Sequence, residues 1–241
     1  MFIKTQAIVL HAIKYGDQKL IIDMFTRQTG RMSFITRLPK TAHSKIKKQH
    51  FQPLSLLSIE CEIRPNEQLH RLKEVNFLAP LPSLHGDPSK LAISMFLSEF
   101  LSYALRDEQQ NEPLFDYIGS GIEWLDSCQK DFANFHLAFL MHLSRFLGFY
   151  PNISNYDEGD YFDLRAAIFC KRPPVHRDIL LPQEASLIRL MMRMDFGTMH
   201  LFRMSHEERN QLLDTLLLYY RIHLPAFPEL RCLPILRELF R

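Results

Sequence analysis

The chain has 241 residues, enough to bury a large apolar core in one domain or two. Its four cysteines lie far apart without CxxC spacing, so neither a disulfide framework nor a cysteine metal site is indicated, and a reducing, cytoplasmic compartment is expected. The N-terminus lacks the apolar run of a secretory signal. Histidine and arginine interrupt the most apolar stretch, residues 135–149, which is predicted to be buried core and not a membrane span.

Charge is divided unevenly along the chain. Residues 1–80 carry thirteen Lys and Arg against six Asp and Glu, a net charge of +7, whereas residues 81–241 carry a net charge of −5. The most basic stretch, residues 27–50, contains seven Lys and Arg and no acidic residue. This segregation predicts that the first part of the chain meets a polyanionic partner on one face.

The first eighty residues have the pattern of an all-β unit. Gly16 and Gly30 supply tight turns, so consecutive strands are expected to pair antiparallel. In the fourth run Leu57, Ile59 and Cys61 alternate with polar residues and should face a core. Five strands with a long connection between the third and fourth predict a Greek-key barrel of the OB type. The predicted strand runs are residues 6–15, 19–26, 31–36, 54–63 and 69–78.

The basic residues of this unit fall in two settings. Arg31 and Arg37 share one face of the third strand about 20 Å apart, where both can meet phosphates or one can form a salt bridge at the rim. Residues 38–51 have too little apolar content to fold on themselves and are predicted to form a mobile, exposed loop, whose lysines would bind phosphates through charge alone. Phe34 and Phe51 are either core residues or stacking platforms for bases. The predicted nucleic-acid-binding residues are Arg27, Arg31, Arg37, Lys40, Lys45, Lys47 and Lys48.

Helical periodicity replaces strand periodicity after Pro80. We therefore expect a barrel domain at residues 1–80 and a helical domain at 81–241, which makes the fold class α+β and multidomain: an N-terminal OB-type five-stranded β-barrel followed by a mostly α-helical domain. Asp87 and Pro88 have the signature of an N-cap and first helical residue, and Ser205 and Glu208 have capping-box spacing. Residues 152–182 are predicted to be irregular. The predicted helices are residues 88–106, 113–125, 132–147, 182–194, 205–222 and 230–240.

Sequence signatures of catalysis are not found. The chain contains no GxxxxGK[ST], GxGxxG, GxSxG or HExxH motif. His136 and His142 are six residues apart, which is not the spacing that places two ligands on one helix face. The acidic run at residues 157–163 has the residue types of a nuclease metal site, but turn residues in a solvated loop are the favoured interpretation. We expect no enzyme activity, no cofactor and no metal.

The stretch AIVLHAIKYGDQKLIIDMFTRQTGRMSFITR resembles the N-terminus of RecO-type DNA repair and recombination mediators. Its most specific parts are Tyr15–Asp17 and Thr26–Arg31. The resemblance continues through FQPLSLLSIE, the helix after Pro88, the segment Gly148–Pro151 and the tail Leu233–Arg237. It therefore covers nearly the whole chain.

The resemblance implies a non-enzymatic mediator that is cytoplasmic and associated with the nucleoid. Its implied partners are single- and double-stranded DNA, RecR, single-stranded DNA-binding protein and, indirectly, RecA, with annealing of complementary strands as an activity. Arg31 and Arg37 match basic positions of the family, and the loop lysines match in charge. Many members carry a four-cysteine zinc motif where this chain retains Cys170, so no zinc is expected. The alternative is an OB-fold RNA-binding or translation-associated module.

Overall fold

The computed structural model describes residues 2–37, 46–64 and 67–239. Their contacts group the chain into two compact units, one of residues 1–127 with 229–239 and one of residues 128–228. Strands give way to helices near residue 80, as predicted, yet the first helices group with the barrel. A domain division at residue 80 therefore stays a prediction. In this described part of the chain no helix is both long enough and apolar enough to cross a bilayer.

The first unit is built on a closed barrel of five strands in the order β1-β2-β3-β5-β4. Neighbouring strands pair antiparallel, except that β3 and β5 run parallel. This connectivity is that of an OB fold, so the predicted barrel is confirmed. The strands are β1 Phe2–Tyr15, β2 Lys19–Thr26, β3 Gly30–Arg37, β4 Leu56–Glu62 and β5 Leu69–Phe77.

Alternation of side chains fills the barrel interior. The predicted inward residues Leu57, Ile59 and Cys61 are fully buried, together with Ile22 of β2 and Phe34 of β3. Burial raises the pKa of the Cys61 thiol to about 11, as expected in an apolar interior. If the strand pairing slipped by one residue, these apolar side chains would face solvent instead of the barrel interior. The apolar pattern therefore specifies the register.

The helices occupy both units. The first unit contains α1 Pro82–Gly86, α2 Pro88–Ala104 and α3 Glu112–Ser127, the second contains α4 Phe135–Phe146, α5 Pro182–Met192 and α6 His206–His223, and α7 Leu233–Arg237 belongs to the first again. Two predicted caps are confirmed. The Asp87 carboxylate accepts hydrogen bonds from the amides of Ser89 and Lys90, and Ser205 and Glu208 form a reciprocal capping box.

Residues 152–182 are more regular than predicted. They contain a three-stranded sheet of the second unit, ordered β7-β6-β8, with β6 Tyr161–Asp163, β7 Ile168–Cys170 and β8 Ile179–Leu180. These strands have two or three residues each, too few for any periodicity to show in the sequence. The segment Pro82–Gly86, which lies outside the predicted helices, forms the short helix α1.

The turn between β2 and β3 lies against the connection between α2 and α3. Gly16 and Gly30 have φ angles of +64° and +73°, so both predicted turn glycines adopt the left-handed conformation. A Cβ atom on Gly30 would lie 2.4 Å from the carbonyl carbon of Gln109, whereas one on Gly16 would meet nothing within 4 Å. The amide of Arg31 donates to the Glu108 carbonyl at 3.0 Å. Glycine at position 30 thus permits barrel and helices to meet backbone to backbone.

Candidate nucleic-acid interface

The C-terminal end of the predicted basic loop is folded. Lys48–Phe51 forms a 3-10 turn in which His50 and Phe51 are buried. The ring of His50 lies 4.7 Å from that of Phe77, and burial lowers the pKa of His50, which keeps the ring neutral at pH 7. The prediction of an exposed loop is therefore wrong for His50 and Phe51, because the apolar side chain of Phe51 joins the barrel core.

Two of the four lysines of this stretch lie at that turn. Lys47 and Lys48 have exposed side chains at its start. Lys40 and Lys45 lie outside the described residues. Their predicted contact with nucleic acid stays a prediction.

The aromatic residues proposed as stacking platforms lie inside the barrel. Phe34 is fully buried and Phe51 is 5% exposed, and both belong to the core cluster. The base-stacking interpretation is wrong for both residues. Their alternative interpretation as core residues is confirmed.

Arg31 forms a salt bridge, which is one of the two alternatives that its position in the sequence allowed. Its Nη1 atom lies 3.0 Å from Oδ1 of Asp23, and its side chain is 17% exposed. The hydroxyl of Ser33, which is opposite Asp23 in the β2–β3 register, donates to the same carboxylate oxygen. The charge of Arg31 is therefore already neutralised within the barrel.

Arg27 is held by helix α3. Its guanidinium donates two hydrogen bonds to the Asp116 carboxylate, at 2.7 and 3.1 Å, and its Nε atom lies 3.4 Å from Glu112. The Gln6 side-chain oxygen accepts a further bond at 3.3 Å, and the guanidinium lies over the Phe115 ring at 5.9 Å from the centroid. The cation thus has partners on the barrel and on the helix.

Arg37 lies in a row of exposed side chains across three strands. Arg37 is opposite Lys19 in the β2–β3 register, and Lys19 is opposite Tyr15 in the β1–β2 register. Residues paired in this way project from the same face of a sheet. The Tyr15 side chain is 57% exposed, and neither cation of the row has a carboxylate partner within 4.0 Å among residues 2–37, 46–64 and 67–239.

A second row lies beside the first. Ile13, Ile21 and Ile35 are opposite one another, and Ile35 is opposite the exposed Arg71 of β5. Ile13 is 44% exposed, which makes it one of the more accessible apolar residues of the barrel. We call the two rows together the cationic face: Tyr15, Lys19, Arg37, Ile13, Ile21, Ile35 and Arg71.

Tyr15, Lys19 and Arg71 are absent from the predicted site. Two of them could have been found in the sequence by counting residues outward from the predicted turns. Tyr15 and Lys19 flank the three-residue turn at residues 16–18, which places them opposite each other. Thr26 pairs with Gly30 at the turn between β2 and β3, and seven residues further along each strand Lys19 pairs with Arg37. Arg71 lies on β5, and only the parallel contact between β3 and β5 brings it near.

Arg64, after β4, is also neutralised. Its guanidinium lies 3.0 Å from Glu62 and 3.3 Å from Glu67. The hydrogen bond from Arg64 holds the pKa of the Glu62 carboxyl below its ordinary value. Exposed positive charge without a carboxylate within 4.0 Å on the described barrel is thus concentrated on the cationic face and at Lys4, Lys14, Lys47 and Lys48.

The acidic run of the second unit is engaged in local contacts. The Lys171 ammonium contacts Asp157 and lies 3.6 Å from Asp160. Asp163 accepts hydrogen bonds from the amides of two following residues and lies 3.3 Å from His176. Within the described ranges no three or more His, Cys, Asp or Glu side chains are grouped to hold a metal ion. Asp160 and Asp163 are buried, so the interpretation of the run as a solvated loop is wrong for these two residues.

The fold class is thus an OB-type barrel joined to a helical region, with cations displayed on the barrel. A family model described as recombination protein O N terminal matches residues 1–81, and one described as recombination protein O C terminal matches residues 85–230. The chain is similar over its whole length to proteins named DNA repair protein RecO, with 49% identity to that of Phocaeicola vulgatus over 240 residues and 48% to that of Bacteroides fragilis over 241. The RecO of Porphyromonas gingivalis is 37% identical over 248 residues. In each comparison both chains are covered completely.

The chain belongs to the RecO family, which serves DNA repair and recombination. The resemblance stated from the sequence is therefore confirmed. The barrel matched by the N-terminal family model is the one that carries the cationic face.

Proposed function

We propose that this chain binds single- and double-stranded DNA on its cationic face, anneals complementary strands and assists RecA loading together with RecR. The observation that carries the proposal is the row of Tyr15, Lys19 and Arg37, which displays an aromatic ring and two cations without carboxylate partners among the described residues. Family membership supports DNA as the nucleic acid.

The cationic face combines the two interactions that hold a nucleic-acid strand without reading its sequence. Lys19, Arg37 and Arg71 neutralise phosphates and release counterions, a contribution that depends strongly on salt. Tyr15 offers an aromatic ring on which a base can stack, and the isoleucine row offers apolar surface beside it. Since these side chains project from paired strands, their spacing is fixed before the nucleic acid binds, and little conformational entropy is lost.

The lysines between β3 and β4 contribute in a different way. Lys47 and Lys48, and with them Lys40 and Lys45, add positive charge that requires no fixed geometry. Cations on the barrel and the loop offset repulsion between two phosphate backbones, which allows complementary strands to pair. Arg27 and Arg31, which have carboxylate partners, contribute less to the free protein's field than Arg37 does.

The remaining parts of the proposal rest on the family. The protein acts by binding, without catalysis, and the helical regions recruit RecR and single-stranded DNA-binding protein in the cytoplasm at the nucleoid. These roles are consistent with relatives named DNA repair proteins that match over their full length. They are separable from DNA binding, which the purified chain should show by itself.

Binding and annealing of labelled oligonucleotides test the proposal directly. We expect the wild-type chain to bind single-stranded DNA, with affinity that falls as salt rises, and to accelerate pairing of complementary strands. The Lys19→Ala/Arg37→Ala variant should be weak in both assays. Lys130→Ala/Arg172→Ala, which removes two exposed cations from the second unit, is the charge-matched control. Clear preference for RNA of the same sequence would support the RNA-binding alternative instead.

A further inference from the structure

A polar cleft lies on the barrel beside Arg27, away from the cationic face. Its volume is about 360 Å³. Lys4 is exposed there and has no carboxylate within 4.0 Å in the described chain, including Glu60 opposite it on β4. The cleft is lined by Lys4, Thr5, Gln6, Arg27, Gln28 and Ser58. Two cations, two amides and two hydroxyls are groups that can donate hydrogen bonds to a phosphate.

Two carboxylates of α3 bind the guanidinium of Arg27. Asp116 accepts two hydrogen bonds from Nη1 and Nη2, and Glu112 approaches Nε. This two-pronged arrangement is also the one in which arginine binds a phosphate group. The carboxylates therefore hold Arg27 in the manner of a phosphodiester.

The carboxylates at Arg27 can be replaced by another anion at little cost in stability. Glu112 and Asp116 are well exposed, at 50% and 53%, and Arg27 is partly exposed, at 34%. Exposed ion pairs add little to stability and are screened by salt. A phosphate that replaces the two carboxylates thus gives Arg27 an equivalent partner, and the folded chain is destabilised very little.

Helix α3 does not depend on Arg27 for its position. Phe115 packs on Phe25 of the barrel with ring centroids 6.1 Å apart. The close approach at Gly30 and the hydrogen bond from the Arg31 amide to Glu108 join the same two regions through their backbones. The carboxylates can release Arg27 while the helix stays docked.

We propose that the Arg27 cleft is a second phosphate-binding site for nucleic acid, and that Glu112 and Asp116 block it until a phosphate displaces them. The inference rests on the proposed function, since it assumes a nucleic-acid ligand. Arg27 lies eight residues beyond Lys19, roughly 26 Å at strand rise, so the two sites contact different phosphates. A nucleic-acid strand must compete with the α3 carboxylates to reach both.

Removal of the competing charges tests the inference. Glu112→Gln/Asp116→Asn keeps the size of both side chains and leaves Arg27 with its charge uncompensated. We expect the affinity for single-stranded DNA to rise about fivefold near 0.1 M salt and the logarithmic salt slope to steepen by about 0.7, the single-strand value for one further phosphate contact. Asp107→Asn/Glu123→Gln is the matched control, because both residues are exposed acids of the same region without a contact to Arg27.

Substitution of the cleft cations completes the test. In the Glu112→Gln/Asp116→Asn background, Arg27→Gln should abolish the gain and Lys4→Ala should lower the affinity, and thermal unfolding should confirm that the variants fold. The inference is overturned if the acid-to-amide variant gains no more than its control, or if the gain persists without Arg27. A wild-type chain that binds no DNA would instead overturn the proposed function.

Discussion

The sharpest test of the cationic face is the Lys19→Ala/Arg37→Ala variant over a salt series. Both cations are exposed on paired strands and lack carboxylate partners in the part of the chain that the structure describes, so each should neutralise one phosphate. For a single strand, removing one such cation should reduce the slope of log affinity against log salt by about 0.7, so the double variant should have a slope smaller by about 1.4. If both proteins extrapolate to equal affinity at about 1 M salt, the double variant should bind about 70-fold more weakly at 50 mM and about 10-fold more weakly at 200 mM.

Fluorescence anisotropy of a labelled single strand measures this slope. Arg31→Ala provides the informative comparison, because Asp23 already neutralises that guanidinium at 3.0 Å. We expect Arg31→Ala to leave the slope nearly unchanged and to lower the melting temperature, since Asp23 would lose its partner. Parallel salt plots for wild type and the double variant, or a larger slope change for Arg31→Ala, would refute the assignment of the face.

Three further predictions concern the loop, the glycine turn and a buried histidine. Lys47→Glu/Lys48→Glu should weaken DNA binding for every sequence without a change in melting temperature, because both side chains are exposed. Gly30→Ala should lower the free energy of unfolding by about 2–4 kcal/mol, since its Cβ would clash with neighbouring backbone, whereas Gly16→Ala should cost about 1 kcal/mol in denaturant titrations. Burial holds the pKa of His136 at about 3 in the folded chain. Below about pH 6.5 this histidine is therefore protonated in the unfolded chain but stays neutral in the folded one. The free energy of unfolding should fall by roughly 2–3 kcal/mol between pH 7 and 4.5 for this reason. Unfolding curves of His136→Gln should lack that part of the pH dependence; a pH dependence parallel to wild type would contradict it.

Much of the fold was predictable because its signals are local. The turn at Gly16 requires a left-handed residue between two apolar runs, and the cap at Asp87 requires a carboxylate just before a helix. The core of β4 follows from period-two alternation over Leu57, Ile59 and Cys61. Each of these features is decided by residues within a few positions of one another.

The features that sequence patterns missed depend on distant contacts. Phe51 stands in a polar, basic stretch, and only the core of the folded barrel provides the apolar surface that buries it. The strands β6, β7 and β8 are too short to be stable alone, and they form because they pair with one another. Their residues carry no periodic signal.

The candidate site shows the same division. The sequence alone determined the concentration of positive charge in the first eighty residues, the barrel that carries it and the family to which the chain belongs. Which of these cations remain available for a ligand depends on contacts formed in the folded chain. Arg27 meets Asp116 across 89 positions of sequence, and Arg31 meets Asp23 across one strand pair, while Arg37 joins Lys19 and Tyr15 on an open face. Electrostatic attraction acts through space over a few ångströms, so the partner of a charge is set by strand register and helix docking, which composition does not contain.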